Sequence, residues 1–314
     1  MRDKSQRLLS THKETIVEKH AYLLMIHENN NQLYRLLQLL DDDKNDIYIH
    51  IDIKCKNISP LEIQNKVVHS QVYFCKRVNV TWSGYSLVKA ELNLLRAAVT
   101  KKYSYYHLLS ASDFPIKSQK EIHDWFLQNA GKEFVHFGTK EYQQGIVSKY
   151  NVYHFFQEKM GRGRNNRFYN KLETYSLAAQ RRLHVNRSKN REACLYGGAN
   201  WFSITDDLAN FVLEHIKDYK NELRFTQNCD EIFLQTIVMN SEFKNRLYIS
   251  GCNDDYHQIM RYIDWARGEN GGPHTFTIED YNELIHSEYL FARKFNEKID
   301  NNVIDKICEY VKER

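Results

Sequence analysis

The sequence predicts an α/β fold with a central, mostly parallel sheet that is flanked by helices. Short continuous apolar runs, such as residues 21–26, are typical of strands that are buried on both faces. Leucines at helical spacing between residues 33 and 40 predict a helix after this strand, and residues 46–52 predict the next strand. A strand, a helix and a strand in this order form the right-handed crossover unit from which parallel sheets are built.

The same patterns predict the remaining elements in chain order, after a polar extension at residues 1–19. The predicted strands cover residues 72–75, 105–109, 134–137, the end of 195–204, 247–250 and 261–265. The predicted helices cover residues 88–98, 118–128, 172–183, 206–218, 230–240, 277–285 and 302–311. Ser118 is expected to cap its helix, because Glu121 three residues later completes a capping box.

His27 and Asp52 stand directly after the first two predicted strands. Ligands of parallel α/β sheets bind beyond the carboxyl ends of the strands, so both side chains are candidates for a binding site. For His27 an ordinary polar strand end is an equally good interpretation. Neither GxGxxG nor GxxxxGK[ST] follows the first strand, which excludes the dinucleotide-binding fingerprint and the phosphate-loop NTPase signature.

Two adjacent carboxylates, Asp230 and Glu231, lie near the start of a strongly apolar segment at residues 228–238. The apolar spacing predicts a helix with both acids in its first turn. The helix dipole stabilises acids at that position, and this purely structural role is the commoner one. A carboxylate at the mouth of a buried helix can also act as a general base. The segment alone leaves both interpretations open.

The positive charge of the chain is concentrated in one stretch. Lys and Arg number 44 against 40 Asp and Glu, which gives a net charge of +4. Residues 158–191 contain the basic side chains Lys159, Arg162, Arg164, Arg167, Lys171, Arg181, Arg182, Arg187, Lys189 and Arg191. This stretch suits a phosphorylated substrate, an anionic membrane surface or nucleic acid, and it equally suits a solvated helix face. No nucleic-acid-binding motif accompanies it.

The six cysteines are scattered without metal-ligand or CxxC spacing, which indicates reduced thiols in a cytosolic protein. We find no signal peptide and no apolar run of about 18 residues, and therefore expect a cytoplasmic protein. Aromatic residues make up 13% of the chain. Aromatic clefts often bind sugars or bases, although aromatic side chains also fill cores.

Six motifs occur in order along the chain. They are DIYIHIDIK at residues 46–54, VTWSGYS at 80–86, HLLSASDFPIK at 107–117, GGANWFSI at 197–204, DEIFLQT at 230–236 and FARKF at 291–295. Together they resemble the core-2/I-branching N-acetylglucosaminyltransferase family, which also includes peptide O-xylosyltransferases. The resemblance implies one glycosyltransferase-A-type domain at residues 20–314, preceded by the extension at residues 1–19.

The resemblance implies an inverting transfer from a UDP-sugar that requires no metal cofactor. Most enzymes of this fold hold Mn²⁺ with an Asp-x-Asp motif after a central strand. The corresponding strand here, at residues 105–109, is followed by Ser-Ala-Ser and then Asp113, so only one acid is present. Without a metal, cationic side chains would stabilise the departing diphosphate.

The resemblance also implies roles for individual residues. Glu231 becomes the general base for the acceptor hydroxyl, and Asp230 supports it. Lys294 is expected to stabilise the leaving UDP, with help from Arg293 and from His274, which stands where the family has an arginine. Surface solvation is the alternative for the two basic residues. The expected donor contacts are His27, Asp52, Trp82, Ser83, Gly84 and Asp113. The expected acceptor contacts are Trp201, Trp265 and Arg267, and core packing is the alternative for both tryptophans.

We therefore expect an enzyme that moves GlcNAc from UDP-GlcNAc to a hydroxyl of a glycan, in the synthesis of a surface polysaccharide or glycan. Xylose and galactose are alternative donor sugars. A lipid-linked saccharide acceptor would bring residues 158–191 into peripheral contact with the inner face of the membrane. The alternatives from other classes are a non-catalytic protein that binds a sugar or nucleotide on the same fold, and a nucleic-acid-binding protein. We expect no nucleic acid partner.

Overall fold

A six-stranded sheet and a three-stranded sheet form the framework of the protein, in a computed structural model that describes residues 19–161, 166–187, 189 and 194–314. The strands are β1 (His20–Ile26), β2 (Asn45–Ile51), β3 (Gln71–Phe74), β4 (Tyr105–Ser110), β5 (Asp113–Pro115), β6 (Phe134–Val135), β7 (Phe202–Ile204), β8 (Arg261–Ile263) and β9 (Phe291–Arg293). The helices are α1 (Asn31–Leu40), α2 (Pro60–Gln64), α3 (Tyr85–Ala98), α4 (Gln119–Gln128), α5 (Lys140–Tyr150), α6 (Gln157–Met160), α7 (Arg167–Arg182), α8 (Asp206–Leu223), α9 (Phe233–Met239), α10 (Tyr281–His286) and α11 (Asn301–Lys312).

The larger sheet has the strand order β3-β2-β1-β4-β7-β6. Strands β3, β2, β1 and β4 are parallel to one another, whereas β7 runs antiparallel to both β4 and β6. The predicted α/β fold with a mostly parallel central sheet is therefore confirmed. Parallel strands direct their carboxyl ends to one edge of the sheet, so the segments after β1, β2 and β4 meet there.

Side chains of β1 alternate between two apolar cores. Tyr22, Leu24 and Ile26 belong to one cluster, which includes residues of α1, α4 and α11. Ala21 and Leu23 belong to the other, which includes residues of α3, α8 and α9. Since successive side chains of a strand point to opposite faces, helices cover both faces of the sheet. This two-sided burial explains why β1 is a continuous apolar run in the sequence.

The smaller sheet has the order β5-β9-β8 and is built from segments that are far apart in the chain. Strand β5 pairs with β9 in antiparallel register, which places Asp113 opposite Arg293. Strand β8 pairs with β9 in parallel. Hydrogen bonds from Ile116 N to Leu290 O and from Phe295 N to Ser112 O extend the contact between these segments. The smaller sheet therefore fixes the C-terminal motif beside the end of β4.

Local signals in the sequence predicted several elements well. Ser118 caps α4 with both hydrogen bonds of the capping box, as expected. The predicted strand at residues 247–250 is wrong, because Leu247 forms only a single bridge with Glu133, and a 3₁₀ helix (Glu242–Arg246) precedes it. The elements α2, β5, α5, α6 and β9 were not predicted from the sequence.

Some sequence-based expectations lie outside the described residues. These are most of the predicted extension at residues 1–19, and Arg162, Arg164 and Arg191 of the basic stretch. All six cysteines are described, and none is in a disulfide. In the described part of the chain, no helix has the length and apolar character needed to cross a bilayer.

Candidate active site

The carboxyl ends of β1, β2 and β4 open into a cavity of about 980 Å³. Its volume is in the range of known small-molecule sites, which is roughly 300 to 1,000 Å³. The lining includes His27, Asp52, Trp82, Ser110, Tyr142, Lys149, Asn200, Trp201, Asn228, Asp230, Glu231, Trp265, Arg293 and Lys294. Segments that are widely separated in the sequence therefore contribute acids, cations and aromatic rings to one cavity.

Asp230 and Glu231 lie in a 3₁₀ helix (Cys229–Glu231) that precedes α9. The prediction that both acids occupy the first turn of the α-helix is therefore wrong. Ile232, with φ −123°, separates the two helices, and Asn228 adopts a left-handed conformation with φ 54°. Asparagine tolerates this conformation better than most residues. The irregular backbone directs the Glu231 carboxylate into the cavity instead of leaving it at a regular helix start.

One oxygen of the Glu231 carboxylate is held by several donors. Oε2 accepts hydrogen bonds from Tyr142 Oη at 2.7 Å and from Asn228 Nδ2 at 3.0 Å, and Lys149 Nζ lies 3.6 Å away. Oε1 has no hydrogen-bond partner in the described part of the chain. The Glu231 side chain is 30% exposed. The carboxylate is thus fixed in orientation, and one oxygen remains available to a ligand in the cavity.

The loop between residues 197 and 199 supports Glu231 from behind. Gly198 N donates a hydrogen bond to Glu231 O at 2.9 Å. A Cβ atom on Gly198 would lie 2.0 Å from the carbonyl oxygen of His136. His136 also holds this loop, because its Nδ1 accepts a hydrogen bond from Ala199 N at 2.9 Å. The close backbone contact therefore requires glycine at position 198.

Replacing Gly198 by alanine is expected to lower the free energy of unfolding by about 1–3 kcal/mol, because the backbone of His136 must move. Movement of the loop displaces Glu231, so the activity is expected to fall as well. Gly145 is a matched control, since it lies in α5 with open space around it. There alanine should raise the stability by roughly 0.5–1 kcal/mol. Urea denaturation of both variants is the measurement, and equal stabilities for the two would contradict the contact at Gly198.

Asp230 is buried beside Glu231, and its Oδ1 has no hydrogen-bond partner among the described residues. Burial raises the pKa of Asp230 to about 7, and the adjacent Glu231 carboxylate adds to the rise. Glu91 lies in the same region, fully buried, and accepts a hydrogen bond from Asn200 Nδ2 at 3.3 Å. Burial, followed by the charge of Asp230, raises the pKa of Glu91 well above its usual value. The floor of the cavity thus disfavours further negative charge.

Asp230→Asn is expected to be more stable than the native protein at neutral pH and to lose this advantage in acid. A raised folded-state pKa means that the folded protein binds the proton more tightly than the unfolded chain. The associated stability is present below the unfolded pKa of 3.8 and is lost as the pH rises through about 7. The difference between the two proteins should therefore grow across this window, by as much as about 4 kcal/mol.

Thermal unfolding at several pH values measures this effect, with Asp218→Asn on the exposed side of α8 as the control. The control should differ from the native protein by a small, pH-independent amount. A stability difference for Asp230→Asn that is the same in acid and at neutral pH would contradict the raised pKa.

Arg293 also lines the cavity and contacts three groups. Its Nη1 donates to Ser110 Oγ at 2.8 Å and lies 3.3 Å from Asp113 Oδ2, and its guanidinium lies 4.5 Å from the centre of the Trp201 ring. Asp113 is fully buried and does not line the cavity. Burial lowers the pKa of the neighbouring Arg261 to about 10, and the charge of Asp113 opposes that change. The negative charge of Asp113 therefore balances the positive charges of Arg293 and Arg261. The resemblance had implied instead that Asp113 contacts a ligand directly.

His274 and Arg267 do not line the cavity. Both bind the carboxylate of Asp280, with His274 Nε2 at 3.1 Å from Oδ2 and Arg267 Nη1 at 2.7 Å from Oδ1. Asp280 belongs to a capping box that starts the 3₁₀ helix (Ile278–Asp280). The structure thus places both residues in an ion-pair network behind the cavity wall, away from the position that the sequence suggested.

The segment that contains Trp82, Ser83 and Gly84 contributes only its tryptophan to the cavity lining. Ser83 is buried, with φ 66°, and its hydroxyl bonds with Asn228 Oδ1. Gly84 is the N-cap of α3, and a Cβ there would lie 2.9 Å from the Glu158 carboxylate. Ser83 and Gly84 therefore shape the site from behind, and the contact between Ser83 and Asn228 reaches Glu231 indirectly.

The remaining predicted residues line the cavity. His27 is exposed at the end of β1, while Asp52 is buried after β2 and accepts a hydrogen bond from Lys54 N at 2.9 Å. Trp265 is 49% exposed, whereas Trp201 is buried beneath Arg293. The structure therefore brings His27, Asp52, Trp82, Trp201, Trp265, Arg293 and Lys294 together with the acid pair.

Sequence reasoning missed several polar groups of the site. Tyr142 and Lys149 contact Glu231 from α5, a helix whose sequence carries no recognisable motif. Asn228 lies two residues before Asp230, and this closeness in the sequence was the only signal that could have identified it. His136 also lines the cavity, and its Nε2 lies 3.2 Å from Asp254 Oδ1.

Among the described residues, no group of three or more His, Cys, Asp and Glu side chains has an arrangement that could hold a metal ion. The cations of the cavity are instead Lys54, Lys149, Arg293 and Lys294. An anionic ligand could be bound by these side chains directly, through charge-assisted hydrogen bonds.

Comparison with known proteins gives a consistent result. The family model described as Core-2/I-Branching enzyme matches residues 20–287. Xylosyltransferase oxt of Drosophila pseudoobscura pseudoobscura is 24% identical over 93% of this chain and 33% of its own length. The beta-1,3-galactosyl-O-glycosyl-glycoprotein beta-1,6-N-acetylglucosaminyltransferase of Bos taurus is 23% identical over 94% of this chain and 70% of its own length. Mouse xyloside xylosyltransferase 1, a solved structure in its apo form, aligns over 87% of this chain and 96% of its own, at 10% identity and a TM-score of 0.38.

The chain therefore spans about a third of the length of the xylosyltransferase that it matches.

Proposed function

Because this chain belongs to the Core-2/I-Branching enzyme family of glycosyltransferases, we propose that it transfers GlcNAc from UDP-GlcNAc to a hydroxyl group of a glycan. Enzymes of the family use UDP-sugar donors and are generally independent of metals. The observation that carries the proposal is the Glu231 carboxylate, which faces the cavity with one oxygen held and the other available. Cationic side chains line the same cavity, as a metal-independent transfer of this kind requires.

The acceptor hydroxyl is activated by Glu231. Its Oε1 takes the proton while the acceptor oxygen attacks the anomeric carbon of the donor sugar. The bond between that carbon and the β-phosphate oxygen breaks as the new glycosidic bond forms on the opposite face, so the configuration inverts. Tyr142 and Asn228 hold Oε2 and keep the carboxylate oriented during the reaction. Asp230 supports this geometry from the floor of the cavity.

The departing UDP carries away the electron pair of the broken bond and develops negative charge on its diphosphate. Lys294 and Arg293 are adjacent at the end of β9 and both line the cavity, so they suit the stabilisation of that charge. His274 was a further candidate, but its ring is engaged by Asp280. We therefore assign the role to Lys294 and Arg293 without His274.

Trp265 and Trp201 have different roles, one in binding the acceptor and the other in holding a cation of the site. Trp265 is half exposed at the cavity, and its ring suits stacking on the apolar face of an acceptor sugar. The Trp201 ring is covered by the Arg293 guanidinium, so its role is to orient that cation. Asp52 and His27, at the ends of β2 and β1, suit the nucleoside side of the donor.

Incubation with a panel of UDP-sugars, followed by measurement of the UDP released, tests this proposal. UDP-GlcNAc should give the fastest release in the presence of a glycan acceptor. UDP-xylose is the second candidate, because several similar proteins are named xylosyltransferases. Binding of UDP without turnover of any donor in the panel would favour a non-catalytic protein that binds sugars or nucleotides.

A further inference from the structure

Helix α7 exposes large apolar side chains and buries polar ones. Phe168 and Tyr175 are 65% and 70% exposed, and Leu183, which follows the helix, is 74% exposed. The buried residues of the helix are Glu173 and Gln180. A surface helix of a globular protein normally has the opposite arrangement, with its apolar stripe facing the core.

Buried hydrogen bonds fix this orientation of α7. The carboxylate of Glu173 bonds with His154 Nδ1 at 2.8 Å and accepts from Phe156 N at 3.2 Å. Gln180 accepts from Tyr153 N at 2.7 Å and donates to Tyr153 O at 2.9 Å. The backbone of residues 153–156 therefore runs along the inner face of the helix. Rotation of α7 to bury its aromatic side chains would leave these polar groups unpaired.

The outer face of α7 combines aromatic and basic side chains. At 3.6 residues per turn, Phe168, Lys171, Tyr175 and Arg182 lie on one face. Arg167 and Arg181 are exposed beside them, and the single acid of the helix, Glu173, is buried on the inner face. Exposed aromatic rings among cations, with no exposed acid, are typical of helices that lie in the interface of an anionic bilayer.

We propose that α7 and Leu183 form a docking surface for an anionic phospholipid bilayer. The rings of Phe168 and Tyr175 and the aliphatic side chain of Leu183 would enter the headgroup region, and the four cations would contact lipid phosphates. Nucleic acid could also contact the cations and stack on the rings, but an exposed aliphatic leucine favours the bilayer. This proposal does not depend on the proposed function.

The docking surface adjoins the rim of the cavity through α6. Gln157 Nε2 donates to Trp82 O at 3.2 Å, and Thr81 Oγ1 donates to Glu158 O at 3.2 Å. Trp82 lines the cavity, and α6 follows the segment at residues 153–156 that holds α7. A bilayer on α7 would therefore lie beside the Trp82 side of the site. If the proposed function holds, this position suits an acceptor that is anchored in the same membrane by a lipid.

Co-sedimentation of the full chain with vesicles tests the docking surface. The native protein should bind vesicles of phosphatidylcholine mixed with phosphatidylglycerol, bind phosphatidylcholine alone weakly, and be released by salt. Lys171→Glu with Arg182→Glu should lower the partition coefficient at least about tenfold, since each cation near an anionic surface contributes roughly fivefold. Phe168→Ala with Tyr175→Ala should also lower it, and should do so at high salt as well as at low salt.

Matched controls change the same charge and the same apolar exposure on other elements. Lys120→Glu with Lys298→Glu, and Leu61→Ala with Val68→Ala, replace exposed side chains away from α7 and should leave vesicle binding unchanged. Circular dichroism should show that all variants remain folded. The proposal is overturned if the native protein does not co-sediment with anionic vesicles, or if the α7 variants bind them as well as the controls do. Salt-sensitive binding to oligonucleotides without vesicle binding would overturn it in favour of nucleic acid.

Discussion

Glu231→Gln is expected to lower kcat for sugar transfer by about 10²- to 10⁴-fold while the affinity for UDP stays near the native value. Glutamine has almost the same shape as glutamate and can keep a hydrogen bond from Tyr142 to its amide oxygen. It cannot accept the proton of the acceptor hydroxyl, so the loss falls on the chemical step. Steady-state release of UDP measures kcat, and calorimetric titration with UDP measures binding.

Tyr142→Phe serves as the graded control for Glu231. It removes one of the hydrogen bonds to Oε2 but leaves the carboxylate in place. We expect a loss of activity on the order of tenfold. The Glu231 carboxylate can still accept a proton, but it is held less firmly in the orientation that the reaction needs. A Glu231→Gln variant with kcat within tenfold of the native value would remove Glu231 from the role of base. An equal loss of UDP affinity would show that the residue acts in binding instead.

Lys294→Ala is expected to lower kcat by about 10²- to 10³-fold, the range for removing one preorganised group that stabilises developing charge. The positive charge matters most when the diphosphate leaves, so kcat should fall more than the affinity for the intact donor. Lys294→Arg should recover part of the activity, because it restores a cation at this position. Rates with UDP-GlcNAc at saturating donor provide the measurement.

Lys298→Ala is the matched control for the C-terminal cation. Lys298 lies four residues after Lys294 and is exposed to solvent, paired with Glu28 at 3.6 Å. Its replacement should leave kcat unchanged. If Lys294→Ala raised only KM, or if both lysine variants behaved alike, the cation would not stabilise the leaving group.

The central sheet could be predicted from the sequence because its signals are local, whereas the role of the acid pair was implied only by the resemblance to the family. Strand β1 is apolar on both faces, and the capping box of α4 lies within four residues. The identification of the family from six ordered motifs is confirmed by the family model that matches residues 20–287. Individual roles within the site stay predictions until the variants are measured.

The smaller sheet could not be predicted in the same way. Its strands have three residues each, and the pairing of Asp113 with Arg293 joins segments that are 180 residues apart. Nothing within either segment shows that Asp113 faces an arginine. The same limit applies to His274 and Arg267, which form ion pairs with Asp280. The position of Asp280 depends on a capping box that was not predicted from the sequence.

The partners of Glu231 show a further limit of sequence reasoning. Tyr142 and Lys149 are seven residues apart, so they share one face of α5, but a helix of mixed polarity offers no reason to select them. Asn228 reaches Glu231 because of its left-handed backbone, which the sequence does not specify. The geometry that makes Glu231 a candidate base therefore becomes visible only in three dimensions.

The most direct test of metal-independent transfer is the rate of UDP release from UDP-GlcNAc by protein that has been dialysed against EDTA. Lys294 and Arg293 stabilise the leaving group in the proposed mechanism, so kcat should be the same in EDTA as in Mn²⁺. Lys294→Ala should stay impaired when Mn²⁺ is added. Loss of native activity in EDTA with recovery in Mn²⁺ would contradict the assignment of this role to Lys294 and Arg293.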